Sequence, residues 1–117
     1  MELISKLLPS LKDDAAILNI SSWLGSINKK SNGGHYGYGG SKALLNMFTK
    51  ALALELKESR KTAVALNPGW MRTDMGGKNG KFSTEDVAKA ILDLYSKQTL
   101  HQENGAFLNI DGSHHDW

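Results

Sequence analysis

The stretch SKALLNMFTKALALELKESRKTAVALNPG, residues 41–69, decides the fold. Its first part, residues 41–58, carries Ala43, Leu44, Leu45, Met47, Phe48, Ala51, Leu52, Leu54 and Leu56, a helical pattern so dense that more than one face must be buried. TAVAL, residues 62–66, then reads as a strand buried on both faces, stopped by Asn67-Pro68-Gly69. The alternation continues on either side. Upstream, residues 15–20 (AAILNI) are a second short apolar run rich in branched side chains. Before it, residues 2–12 (ELISKLLPSLK) space Leu3, Ile4, Leu7, Leu8 and Leu11 by threes and fours, and Pro9 predicts that this short helix ends or kinks there. Downstream, Ser83 with Asp86 three residues later makes a capping-box-like start for the stripe Val87, Ala88, Ile91, Leu92 and Tyr95. A polar stretch around residues 100–104 leads to AFLNI, residues 106–110, a third strand. Residues 25–40, with six glycines, read mainly as loop, and residues 74–83 as a glycine- and lysine-rich loop. Buried strands alternating with helices imply an α/β fold with a parallel sheet of three strands and about three helices.

The 117 residues allow one domain. The net charge of +2 comes from interspersed charges, so no basic stripe points to nucleic acid. With no cysteine, a disulfide scaffold, a thiolate metal site and a cysteine nucleophile are excluded. No apolar run approaches the ~20 residues of a membrane span, and the first residues lack the pattern of a signal peptide. A cytoplasmic protein with no membrane partner is expected.

In an open parallel sheet ligands bind at the carboxyl ends of the strands. Three loops therefore come side by side: Ser21-Ser22-Trp23, Asn67-Pro68-Gly69-Trp70 and Asp111-Gly112-Ser113. The sharpest local feature is Tyr38-Gly39-Gly40-Ser41-Lys42, whose Tyr and Lys, four apart at a helix start, lie on one face. A free phenol titrates near ~10, and a fixed ammonium beside it favours the phenolate. Tyr38 is thereby suited to give a proton to a carbonyl oxygen or take one from an alcohol, and Ser22 to hydrogen-bond the same oxygen. Taken alone, the pair also fits an exposed helix contact contributing ~0.2–0.5 kcal/mol.

The ordered set Asn19-Ile20-Ser21-Ser22, Tyr38-Gly-Gly-Ser-Lys42 and Asn67-Pro68-Gly69-Trp70-Met71-Arg72-Thr73 resembles the short-chain dehydrogenases/reductases. Within that family it is most similar to the C-factor and sniffer-type carbonyl reductases. The likeness extends through Leu24-Gly25-Ser26, Gly33-Gly34-His35-Tyr36, Thr73-Asp74-Met75-Gly76-Gly77 and the ending at Trp117. The resemblance implies Tyr38 as acid/base, Lys42 as the group that lowers the tyrosine pKa and holds the nicotinamide ribose, and Ser22 as the residue orienting the carbonyl. It implies Pro68, Gly69 and Trp70 as walls of the nicotinamide pocket, with Thr73 reaching the carboxamide or phosphates. The implied reaction is hydride transfer between NAD or NADP and a small-molecule carbonyl/alcohol pair. An alanine is usual in the family where Gly40 stands.

A dinucleotide also needs a glycine-rich turn leading from a strand into a helix. No such turn is found; Gly76-Gly77-Lys78-Asn79-Gly80 follows no apolar strand and reads as a substrate-side loop. The resemblance therefore implies a partial Rossmann-like sheet, with residues 1–117 a single catalytic portion lacking the amino-terminal nucleotide-binding half. The family's sheet order puts the residue 15–20 strand in the interior, and an unpaired apolar edge is a template for association. The helices over residues 2–12 and 41–58 are the family's dimerisation surface, so a homo-oligomer, or poor stability alone, is expected. The alternative is a non-enzymatic dimerising or signalling module, or an inactive truncated fragment, derived from the same fold.

The other chemistry-bearing residues have plainer expectations. His114 and His115 read as solvated tail without a metal spacing. His35 and Tyr36 are equally suited to touching substrate and to filling a loop. Trp23 and Trp70 follow strand ends, positions open both to pocket walls and to core plugs.

Overall fold

A computed structural model of the chain describes residues 2–69 and 80–117. Among these, the elements run α1 (Glu2–Leu7), β1 (Ala16–Ile20), α2 (Tyr36–Glu55), β2 (Thr62–Asn67), α3 (Thr84–Ser96), α4 (Thr99–Gln102) and β3 (Phe107–Asn109), with 3-10 turns at Leu8–Ser10 and Trp23–Gly25. The three strands form one parallel sheet in the order β1-β2-β3. Ile20 lies opposite Leu66, and Asn67 opposite Asn109.

Both faces of the sheet are covered, which is why the strands read as continuous apolar runs. Against one face lie Leu52, Ala53 and Leu56, with Ala63 of the sheet and the partly buried Ile4, Leu8 and Ile17. Against the other, Leu94 and Leu100 pack on Val64, Leu66 and Leu108. Every residue of β2 is buried, whereas β1 is only partly covered and Ile20 is exposed. Among the described residues β1 has one neighbouring strand, so its second edge is unpaired.

The helix ends follow their local chemistry. The first helix gives way to the 3-10 turn Leu8–Ser10 at Pro9, as its ring requires. At the start of α3 the Ser83 hydroxyl accepts from the Asp86 N–H at 3.0 Å and the Asp86 carboxylate accepts from the Ser83 N–H at 2.9 Å, a complete capping box.

Three expectations need correction. First, α2 begins at Tyr36, inside the glycine-rich stretch expected to be mainly loop. Tertiary contact overrides propensity there: a Cβ on Gly39 would stand 3.0 Å from the Leu24 carbonyl oxygen, and one on Gly25 2.8 Å from the backbone and Cβ of Lys42. Glycine is what lets the Trp23–Gly25 turn lie directly on the helix. Second, the polar stretch after α3 contains the short helix α4, which buries Leu100. Third, the carboxyl-terminal residues are not a solvated tail. His114 pairs antiparallel with Leu108 and its Nε2 lies 2.7 Å from Glu103 Oε2. The rings of His115 and Trp117 lie 4.8 and 5.4 Å from that of Phe107, so Phe107, in the core, anchors the chain's return.

Gly40 differs from its neighbour: a Cβ there would meet nothing within 4 Å. Gly40→Ala is expected to stabilise the chain by about 0.5–1 kcal/mol, the usual gain of alanine over glycine within a helix. Gly39→Ala is expected to destabilise it. Thermal unfolding of the two variants checks the pair, and equal shifts of the same sign would contradict the packing described.

Candidate active site

The residues expected to carry chemistry gather at the carboxyl ends of β1 and β2 and along the first turns of α2. Tyr38 and Lys42 share a helix face, and the Lys42 ammonium lies over the tyrosine ring, 5.7 Å from its centroid. The same ammonium donates to the carbonyl of Ile20, the last residue of β1, at 3.1 Å. Lys42 thus ties the helix that carries Tyr38 to the strand that leads into Ser22. Tyr38 itself is 39% exposed and so open to a ligand.

Ser22 is buried, and its Oγ accepts from the Leu24 N–H at 3.1 Å, capping the Trp23–Gly25 turn. That bond uses an oxygen lone pair, and the hydroxyl proton has no acceptor among the described residues. Ser22 is therefore both a structural cap and a donor available to a carbonyl oxygen. Its neighbour Ser21 fixes the strand end: the Ser21 N–H donates to the Leu66 carbonyl at 2.7 Å and its hydroxyl to Asn46 Oδ1 of α2 at 2.6 Å. One turn along, Asn19 Nδ2 donates to Thr49 Oγ1 at 2.9 Å. These two bonds join β1 to α2 beneath the Tyr38–Lys42 pair.

Pro68 is buried at the end of β2, and Gly69 adopts φ +77°, where a Cβ would stand 2.6 Å from the Phe82 ring. A glycine is required on both counts. Trp70 and Thr73, also expected at this site, lie outside the described residues. Trp23 is half exposed, which excludes a core plug. His35 stands at the amino end of α2 with φ 54°, its carbonyl accepting from the Gly39 N–H at 2.8 Å, and both His35 and Tyr36 are exposed. They line a cleft of about 230 Å³ with Leu24, Lys30 and Gly40. Among the described residues no group of three His, Asp or Glu side chains comes together to hold a metal, and no helix is long and apolar enough to cross a membrane.

The donor set fits the nicotinamide-ribose end of a dinucleotide. A cation and a phenol stand side by side next to a glycine turn at strand ends, where a ribose and a flat ring can approach backbone. For the pyrophosphate end, no glycine-rich turn among the described residues carries a strand directly into a helix.

Sequence reading missed two asparagines in this region. Asn67 Oδ1 accepts from the N–H groups of Trp23 and Gly69, and Asn67 Nδ2 donates to Asn109 Oδ1. The signal was present: each strand contains a Leu-Asn pair (Leu18-Asn19, Leu66-Asn67, Leu108-Asn109), and asparagine is depleted in strands unless its side chain has a partner.

The short chain dehydrogenase family profile matches residues 1–84, so the chain belongs to the short-chain dehydrogenase/reductase family. It is 29% identical to the C-signal of Myxococcus xanthus, over all of this chain and 71% of that protein. The carbonyl reductase Sniffer of D. melanogaster superposes with a TM-score of 0.78 at 38% identity, over 97% of this chain and 46% of that one. An NADPH-bound carbonyl reductase from chicken fatty liver gives 0.85 at 35%, over 98% and 51%. The chain thus spans about half the length of the carbonyl reductases it matches, and its fold is a partial Rossmann-like α/β sheet.

Close by, Asp111 accepts from the N–H and the hydroxyl of Ser113, and these bonds hold its carboxyl below the ordinary aspartate value. A lowered carboxyl contributes stability that is present above the unfolded-state value and is lost as pH falls through the folded-state value. NMR titration of the carboxyl carbon is expected to place Asp111 below a typical aspartate, and Ser113→Ala to return it upward. No movement on that substitution would remove the serine as the cause.

Proposed function

We propose that residues 1–117 form the catalytic portion of an NAD(P)-dependent oxidoreductase that transfers hydride between a nicotinamide cofactor and a small-molecule carbonyl/alcohol pair. The observation that carries this reading is Lys42, which touches the Tyr38 ring and the end of β1 at once. The ammonium and the phenol stand together on one helix face, so the exposed phenol hydroxyl is placed to exchange a proton with a substrate oxygen. Ser22 presents its hydroxyl proton from the adjoining loop and orients that oxygen. Tyr38 and Lys42 would hold the cofactor ribose, and Pro68 and Gly69, with Trp70 and Thr73, would hold the nicotinamide. A bound nicotinamide supplies or receives the hydride. NADP as cofactor is favoured by the bound NADPH in the matching carbonyl reductase. The cytoplasmic location expected from the sequence is part of the same proposal.

Titration with NADPH, followed by nicotinamide fluorescence, is expected to show saturable binding, and adding a small aldehyde to consume the reduced cofactor. Tyr38→Phe is expected to lower that turnover by about 10²–10⁴-fold. Absence of binding at millimolar NADPH would defeat the reading. The second reading, a dimerising or signalling module, would then stand. It is favoured by the match to the C-signal over the whole of this chain.

Self-association belongs to both readings. Leu44, Met47 and Leu54 of α2 are each more than half exposed, and Leu3 and Leu7 of α1 are also uncovered. Apolar side chains along one helix and a neighbouring short one are what a homo-oligomer would bury. Sedimentation is expected to show an oligomer that Met47→Glu shifts toward monomer. A cooperative monomeric melt of the unaltered chain would refute it.

A further inference from the structure

The three loops at the carboxyl ends of the strands are joined by one polar relay, and it converges on a single side chain. We propose that Asn67 is a positioning residue that sets the Ser22-Trp23 loop and the Pro68-Gly69 loop in register. The Asn67 amide oxygen accepts from the Trp23 N–H at 3.1 Å and from the Gly69 N–H at 3.3 Å, so one atom holds the first residue after Ser22 and the turn after β2. Two converging N–H donors fix which way the amide faces, because the opposite orientation would aim its NH₂ at both of them. Asn67 Nδ2 must then find an acceptor, and it does so in Asn109 Oδ1 at 3.1 Å, its register partner on β3. Asn109 Nδ2 donates in turn to Ser113 Oγ at 3.1 Å, and the Ser113 hydroxyl donates to Asp111.

Every donor in this chain points the same way, from the backbone of the first two loops to a carboxylate in the third. Hydrogen bonds aligned head to tail strengthen one another, so the relay fixes Asn67 more firmly than its own contacts alone. Asn67 is buried, while Trp23 is half exposed and gains little anchoring from packing. The spacing between the serine hydroxyl and the glycine turn therefore depends on Asn67 Oδ1. As a statement about catalysis this rests on the reductase reading of these loops; as a statement about geometry it does not.

Amide hydrogen exchange on the full chain without cofactor tests the clamp directly. In Asn67→Ala, exchange at Trp23 and Gly69 is expected to quicken together by about five- to ten-fold, with Val64 and Leu66 unchanged. Asn67→Asp keeps the accepting oxygen but sets a second acceptor against Asn109 Oδ1, so it is expected to restore protection at both amides in part. If the alanine variant fails to fold, Asn109→Ala serves instead and should loosen the same two amides by about two- to three-fold. The clamp is overturned if only one amide responds, if the β2 amides quicken in step, or if aspartate protects neither amide better than alanine does. In carbonyl-dependent NADPH oxidation, kcat is expected to fall about ten-fold in Asn67→Ala and to recover in part in Asn67→Asp. An unchanged kcat in a variant whose two amides have been freed overturns the positioning role. A wild-type chain without NADPH binding would defeat the reductase reading, while the exchange pattern would still decide the clamp.

Discussion

The arrangement of the candidate site depends on one cation held between a strand end and a ring. Lys42 reaches back from the second turn of α2 to the carbonyl of Ile20, and on the way its ammonium passes over Tyr38. A lysine on four flexible carbons would ordinarily sweep a wide volume of solvent. Here its position is inherited from the sheet, because Ile20 is held in register with Leu66 and Ser21 is bonded to both Leu66 and Asn46. The short path is possible because Gly25 and Gly39 let the loop after β1 rest on the helix backbone. Gly39 weakens the helix locally, and with Gly25 it brings the charge, the phenol and the serine loop into one neighbourhood.

What was legible in the sequence was what periodicity and cap chemistry can carry. AAILNI, TAVAL and AFLNI stood out because a parallel strand covered on both faces has no polar alternation to hide in. Ser83 and Asp86 marked the start of α3 because the capping box is a local reciprocal pair. The start of α2 was not legible: Gly37, Gly39 and Gly40 argue against helix by propensity, and the close approach of the Leu24 carbonyl, which explains Gly39, comes from another segment. The return of the chain over Phe107 was hidden for a similar reason, since His115 and Trp117 are held by a ring on another segment. Of the candidate site, the Tyr38–Lys42 contact followed from helical spacing. The bonds that bring loops together, Asn67 to Trp23 and Asn67 to Asn109, span more than forty residues in sequence, and no local rule encodes them.

The incompleteness of the sheet has a physical expression of its own. β2 is buried throughout, as an interior strand of a doubly covered sheet should be, but β1 is only partly covered although its sequence is equally apolar. A strand composed for the interior but set at an edge exposes unpaired backbone groups beside apolar side chains. The carbonyl reductases this chain matches are about twice its length. The uncovered Leu44, Met47 and Leu54 on α2 are a separate surface, because the helix packs on the sheet through other side chains, Leu52 and Ala53 among them.

Loops at strand ends have few apolar contacts with which to hold a geometry, and this chain compensates with directed polarity. The relay starts at two backbone N–H groups and ends at the Asp111 carboxylate, with Asn67, Asn109 and Ser113 each accepting on one side and donating on the other. Reversing any one amide would set donor against donor or acceptor against acceptor, so the arrangement admits one set of orientations and not several of similar energy. The two bonds from Ser113 hold the Asp111 carboxyl below the ordinary aspartate value, and its oxygen, which can only accept when ionised, ends the relay. The aspartate is fully exposed and contributes little by burial. It is the terminal acceptor of a row of neutral groups whose far end is the Trp23 N–H, the residue next to Ser22, so a single directed set of bonds spans all three loops.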